Sequence, residues 1–172
     1  MFTRKILPRM LSLSAAAVAL TAVSGADAGT AQSDFLVSAE VTATCSISAV
    51  PLTFGAYDPL VTNVSNDLVG QTNLTVTCTN LANTSIALSS GGHVTTGAGA
   101  TRQLSDGTHF LTYSLYSDNT RTTAWGDGTL APVRIYQGIG AVDTVTVFGK
   151  VESNQKAAAG SYSDTVTATI TF

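Results

Sequence analysis

Polar and apolar residues alternate along most of the chain. From Phe35 to Ile47 the odd positions are apolar (Phe35, Val37, Ala39, Val41, Ala43, Cys45, Ile47), and the even positions are polar apart from Leu36. A period of two sends successive side chains to opposite faces, so 35–47 is predicted as one long amphipathic strand. The same pattern predicts strands at 52–54 (short, stopped by Gly55 and Pro59), 74–78, 85–89, 110–116, 133–136 and 145–151. Within 110–116, Leu111, Tyr113 and Leu115 share a side. A last strand is expected at 162–172, with Asp164, Val166, Ala168, Ile170 and Phe172 on one face and Ala168 and Ile170 marking the core side. Helical periodicity is almost absent.

Asp106-Gly107, Asp127-Gly128 and Gly91-Gly92 punctuate these runs as turns. Gly97-Ala98-Gly99 lies in a polar loop, without the strand-to-helix context of a phosphate cradle. Seven or so short strands in about 140 residues predict an all-β, immunoglobulin-like sandwich. There is no internal repeat, low-complexity tract or linker, so one domain is expected from about residue 33 to 172.

The first residues do not belong to that pattern. Arg4, Lys5 and Arg9 precede an apolar run of about 14 residues, and Ala26-Asp27-Ala28 follows. This is the plan of a cleaved secretory signal over 1–28. The alternative is a membrane anchor, but the run falls short of the roughly 20 residues that span a bilayer.

Beyond residue 28, Thr supplies 25 of the 144 residues, which favours strands because β-branched side chains suit a pleated surface. Eight Lys+Arg against eleven Asp+Glu give a net charge of −3 for the whole chain. That balance argues against nucleic acid as a partner, since such proteins carry clustered basic surfaces. Charged residues make up 11% of the chain against 44% apolar, which argues against both disorder and a coiled coil.

Cys45 and Cys78 are the two cysteines. Export makes a single disulfide the expected state, tying the first strand to one near 74–79; two free thiols or a metal pair are the alternatives. The bond would close a loop of about 34 residues, worth roughly 3–4 kcal/mol by chain entropy.

Candidate chemistry is sparse. His93 and His109 sit in turn-rich segments without a carboxylate at motif spacing, and neither a G-x-S-x-G elbow nor an H-E-x-x-H motif occurs. The scattered acids fit turn capping and solubility better than a glycosidase pair. Trp125 fits core or edge packing better than a sugar platform. No enzymatic activity, metal or cofactor is expected.

Several landmarks recur in order: Cys45-Ser46-Ile47, Leu52-Thr53-Phe54-Gly55-Ala56-Tyr57-Asp58, Leu74-Thr75-Val76-Thr77-Cys78-Thr79, Arg102-Gln103-Leu104, 111–118, Trp125-Gly126, Val147-Phe148-Gly149-Lys150-Val151 and 159–172. Together they resemble the spore coat protein U domain family, which includes the pilin subunits of archaic chaperone–usher fimbriae. Asn80-Leu81-Ala82-Asn83-Thr84 departs from the Gly-containing turn expected after the second cysteine.

The resemblance implies an exported β-sandwich, incomplete by one strand, that polymerises head to tail into surface fimbriae serving adhesion or biofilm formation. Its implied organisation is a signal peptide (1–28), a donor segment (29–44) and a pilin domain (45–172). Phe35, Val37, Ala39, Val41 and Ala43 would fill a groove on the next copy, the β-augmentation known as donor-strand complementation. Val166, Ala168, Ile170 and Phe172 would form the C-terminal strand that the chaperone meets; a periplasmic chaperone would cover the groove before an outer-membrane usher assembles the fibre. Five such side chains would contribute on the order of 5–10 kcal/mol before ordering costs. A head-to-tail contact of this kind is heterologous and builds open filaments. The competing expectation for 34–44 is an ordinary first strand within its own sheet. The competing functions are a spore or cell-coat component, a fibre-tip adhesin (which should carry a further receptor domain) and a secreted hydrolase.

Overall fold

The computed structural model describes residues 28–95 and 99–172. Apart from Ala28, the expected signal peptide lies outside the described residues, as do Gly97 and Ala98 of the glycine loop. Residues 40–172 form one compact body. Residues 28–39 are exposed throughout and carry no strand.

Eight strands are present among the described residues: β1 (Cys45–Ala49), β2 (Leu68–Cys78), β3 (Asn83–Leu88), β4 (Arg102–Ser105), β5 (Phe110–Tyr116), β6 (Arg134–Gln137), β7 (Val142–Val151) and β8 (Ala168–Thr171). They make two antiparallel sheets, in the orders β1-β2-β7-β5-β4 and β6-β3-β8. The all-β, two-sheet architecture agrees with the alternation in the sequence.

The long β2–β7 pair runs from Leu68↔Val151 to Thr77↔Val142 and forms the spine. Its alternate residues Leu74, Val76, Val145, Val147 and Val151 are buried, as are Leu111, Tyr113 and Leu115 of β5. Ile86 and Leu88 of β3 close on them from the other sheet. Trp125 is buried as expected, and its indole N–H donates to the Ile86 carbonyl at 2.7 Å, so its one polar atom is satisfied inside the core. The Cys45–Cys78 disulfide is formed, between residues directly opposite one another in the β1–β2 ladder.

Turn acids hold their own loops. Asp58 accepts from the backbone N–H groups of Leu60 and Val61, Asp127 from those of Thr129 and Leu130, and Asp106 from those of Thr108 and His109. Bonds from the His109 backbone and ring pull the Asp106 carboxyl down to about 2, and the Thr129 and Leu130 amides likewise lower Asp127. Asp118 is lowered first by the Thr120 hydroxyl and then by the amides of Thr122 and Thr123. These acids cap turns, as the sequence pattern indicates.

Four expectations need correction. The predicted strand at 35–47 is a strand only from Cys45, because extended backbone becomes a strand only beside a hydrogen-bonding neighbour. Residues 52–54 join no ladder for the same reason. The last predicted strand, 162–172, pairs regularly only at 168–171; before that it makes a single bridge, Ser163 to Ser105, so it leaves one sheet and enters the other. The histidines do meet carboxylates: the His109 ring lies 2.9 Å from Asp106 and that of His93 4.0 Å from Asp164. In the atypical turn, Leu81 takes φ 60°, the left-handed conformation that glycine adopts without strain.

Candidate functional site: an open groove between two unpaired edges

β1 is an edge of the five-stranded sheet and β8 an edge of the three-stranded sheet. Among the described residues β1 pairs only with β2 and β8 only with β3. The chain leaving β1 and the chain leading into β8 border a groove between these edges. Its larger hollow, about 860 Å³, is bordered by 52–57 and 157–164. A second, about 370 Å³, lies between 49–54 and 164–168. Leu52, Phe54, Leu104 and Asp164 border both.

The lining mixes polar and apolar groups in the larger hollow and is mainly apolar in the second, and its apolar side chains are incompletely covered. Leu52, Phe54, Tyr57, Leu68, Leu104, Tyr162, Val166 and Ala168 all pack against the core yet remain only partly buried. The outer edge of β8 offers backbone N–H and C=O groups with no strand beside them among the described residues, a template for one more strand.

Local sequence explains the shape. Gly70 and Gly149 face each other across β2 and β7. A Cβ at Gly149 would lie 2.7 Å from the Phe54 ring, and one at Gly70 3.1 Å from it. The glycine pair therefore makes the hollow into which Phe54 folds, and Phe54 meets Tyr113 edge-on at 6.2 Å.

One acid stands in the groove wall. The Asp164 carboxylate accepts the Tyr113 hydroxyl at 2.6 Å, the Gly92 amide at 2.7 Å and the Thr165 amide at 2.8 Å. Gly91, at φ +84°, makes room for it, since a Cβ there would lie 2.0 Å from the carboxylate. Burial and this bond push the Tyr113 hydroxyl well above its ordinary value. Nearby, the buried Arg102 guanidinium donates to the carbonyls of Ser89 (2.8 Å), Leu88 (2.7 Å) and Trp125 (3.2 Å). Burial lowers its pKa, and the carbonyls hold the charge in place. The Asp164 bonds to Tyr113 and Gly92 clamp the C-terminal segment to β5 and to the 91–92 turn. Among the described residues no cluster of three His, Cys, Asp or Glu could hold a metal.

Of the residues singled out from sequence, Cys45 and Cys78 are bonded to one another. Val166 and Ala168 line the groove, whereas Ile170 pairs with Ile86 within the three-stranded sheet and is not part of the groove's lining. Phe172 is exposed. Phe35, Val37 and Val41 are 79–84% exposed, and Ala39 and Ala43 are exposed too. Sequence reasoning missed the Gly70–Gly149 hollow, the Leu104 contribution and the Tyr113–Asp164 clamp. The two glycines at apolar-face positions of strands were the available signal for the first.

The model of the Spore Coat Protein U domain matches residues 31–169, which includes both the groove and most of the segment ahead of Cys45. Protein U of Myxococcus xanthus is 40% identical over 170 residues, covering 91% of this chain and 93% of that protein. A similar fold occurs in the crystal structure of the CsuC–CsuE chaperone–tip adhesion subunit pre-assembly complex from archaic chaperone–usher Csu pili of Acinetobacter baumannii. That match has a TM-score of 0.52 at 19% identity and covers 77% of this chain but 40% of the other, a likeness of fold. With its landmarks in order and most of its length matched, the chain belongs to the Spore Coat Protein U domain family.

Proposed function

We propose that the protein is an exported structural subunit whose copies join head to tail by donor-strand complementation. Phe35, Val37, Ala39, Val41 and Ala43 of one copy enter the groove between 49–57 and 157–168 of the next. The observation that carries this reading is the coexistence, in one chain, of a groove whose apolar part lies beside an unpaired strand edge and an exposed segment of alternating apolar residues. Each supplies what the other lacks: backbone partners for the edge and side chains for the hollows. The protein is not an enzyme on this reading. A periplasmic chaperone covers the groove, including the Val166–Ala168–Ile170 face, before an outer-membrane usher places the subunit in a surface fibre serving adhesion or biofilm formation. The fold likeness to a chaperone–subunit complex supports those partners.

The identity with Protein U and the family's description favour a second destination, a spore or cell coat, built through the same joint. Immunogold labelling separates the two: thin projecting fibres for a pilus, a continuous layer for a coat.

The joint itself is tested on detergent gels. Exported protein, left unheated, should run as a ladder that collapses to monomer on heating, and deletion of 29–43 should abolish the ladder. A single monomer band from both forms, heated or not, refutes the proposal.

A further inference from the structure

The five-stranded sheet has a second face, turned away from the core and the groove. Strand alternation sends Leu74, Val76, Val145 and Val147 inward, so Thr75, Thr77, Thr144 and Thr146 point the other way. The register lines these residues up across β1, β2 and β7. Ser46 lies opposite Thr77 and Ser48 opposite Thr75; Thr75 in turn lies opposite Thr144, and Asn73 opposite Thr146. Neighbours therefore stand about 4.8 Å apart across the strands and about 7 Å apart along them, on the scale of one sugar ring.

This face is open, unbonded and neutral. Ser46, Ser48, Asn73, Thr75 and Thr144 are exposed. On the opposite side of the strands, hydroxyls are taken up by the backbone: Thr72 donates to the Val50 carbonyl at 2.6 Å and Thr84 to that of Tyr136 at 2.8 Å. On the outer face Thr146 donates to Asn73 Oδ1 at 3.0 Å, whereas among the described residues the hydroxyls of Ser46, Ser48, Thr75, Thr77 and Thr144 bond no other protein group. Asp143 points to the other side of β7, where it accepts the Tyr136 hydroxyl at 3.1 Å. The face ends at the next row, Gln71, Phe148 and Tyr116, where Arg121 and Lys150 lie over the two aromatic rings. Those cations are themselves engaged, Lys150 with Asp67 (3.4 Å) and Glu152 (3.0 Å), Arg121 with the carbonyls of Gly149 (3.0 Å) and Asn119 (2.9 Å).

The geometry points to a docking surface for a neutral polysaccharide on the outer face of β1, β2 and β7. A hydroxyl both donates and accepts, so a lattice of free hydroxyls is complemented by a polymer that is itself dense in hydroxyls. An anionic polymer needs free cations, and the face has none to offer. A protein partner would seat on aromatic and aliphatic side chains, whereas serine is depleted at such interfaces. Water competes for each exposed hydroxyl, so a single sugar gains little, and retention comes from successive sugars engaging successive rows. Because the face is turned away from the groove, this surface stands whether or not copies join through a donor strand.

The test measures adsorption of the exported full chain to films of amylose and cellulose, two neutral glucans, and to dextran sulfate as the anionic comparison, on a quartz-crystal microbalance. The protein should adsorb to a neutral film and not to dextran sulfate, and adsorption should be unchanged at about 0.5 M NaCl, since there is no charge pairing to screen. Thr75→Val/Thr144→Val keeps the β-branched shape and removes two hydroxyls; it should keep the melting temperature and bind at least tenfold more weakly. Ser46→Ala/Ser48→Ala should weaken binding in the same direction and serves as the second reading if the threonine variant melts lower. Thr169→Val, at an exposed position of β8 in the other sheet, should bind as the unaltered protein does. No adsorption to either neutral film, adsorption that salt abolishes, or full binding by a correctly melting variant of the face overturns the proposal. A variant of the face that instead changes the protein's pattern on unheated detergent gels assigns the face to a second copy and overturns it as well.

Discussion

Val41→Asp separates a residue that serves its own subunit from one that serves a neighbour. In the subunit Val41 is 82% exposed, so substitution there should leave the melting temperature and the Cys45–Cys78 bond unchanged. In a joint it would be buried. Removing about 120 Å² of apolar surface from water contributes about 3 kcal/mol. A carboxylate in its place, among groups such as Leu52, Leu104 and Val166, adds a desolvation cost of at least about 2 kcal/mol. The sum of about 5 kcal/mol corresponds to a loss of between a thousand- and ten-thousandfold in the lifetime of the joint. Unheated detergent gels should then show monomer only, while thermal melting of the subunit is unmoved. Val41→Thr, which keeps the shape and adds a hydroxyl, should shorten the ladder without abolishing it. An undiminished ladder from Val41→Asp refutes the pocket-filling argument. A lowered melting temperature refutes it differently, by showing that Val41 packs within its own molecule.

Other consequences follow from the subunit. Leu81→Gly should stabilise the isolated subunit by about 0.5–1 kcal/mol, because it removes left-handed strain at an exposed position; a lower melting temperature contradicts this. Arg102→Leu leaves three carbonyls without their donor and should cost about 3–5 kcal/mol in urea unfolding, with Arg102→Lys a poor substitute for the planar fork; a loss below about 1 kcal/mol contradicts it. Acid should act late. The Asp106 carboxyl is lowered from 3.8 to about 2, so its contribution is complete above pH 3.8 and lost as pH falls through about 2; Asp127 and Asp118 are shifted the same way. The fluorescence of buried Trp125 should stay native to about pH 4 and change below it; a transition beginning above pH 5 contradicts the assignment.

Alternation reports which side of a strand is apolar, and it does not report what pairs with that strand. This is why 110–116 was legible to the residue, with Leu111, Tyr113 and Leu115 buried, while 52–54 and 35–44 have the same pattern and no ladder. The disulfide was legible because the chain has two cysteines and its first residues read as an expected export signal. β4 was read only as a family landmark, because four residues are too short for a period and its inward Arg102 breaks the apolar code. The crossing of the last strand from Ser105 to β3 depends on contacts more than 50 residues distant in sequence, as does the bond from Tyr113 to Asp164. Pairings over such separations leave no local trace.

On the proposed reading the segment ahead of the disulfide completes another copy. The most direct measurement is a structure of the assembled fibre in which the backbone of 35–43 can be traced. Those residues should run as a strand along the free edge of β8 in the adjacent copy, with Val41 in its groove. Finding the same residues bonded only within the molecule they belong to contradicts it.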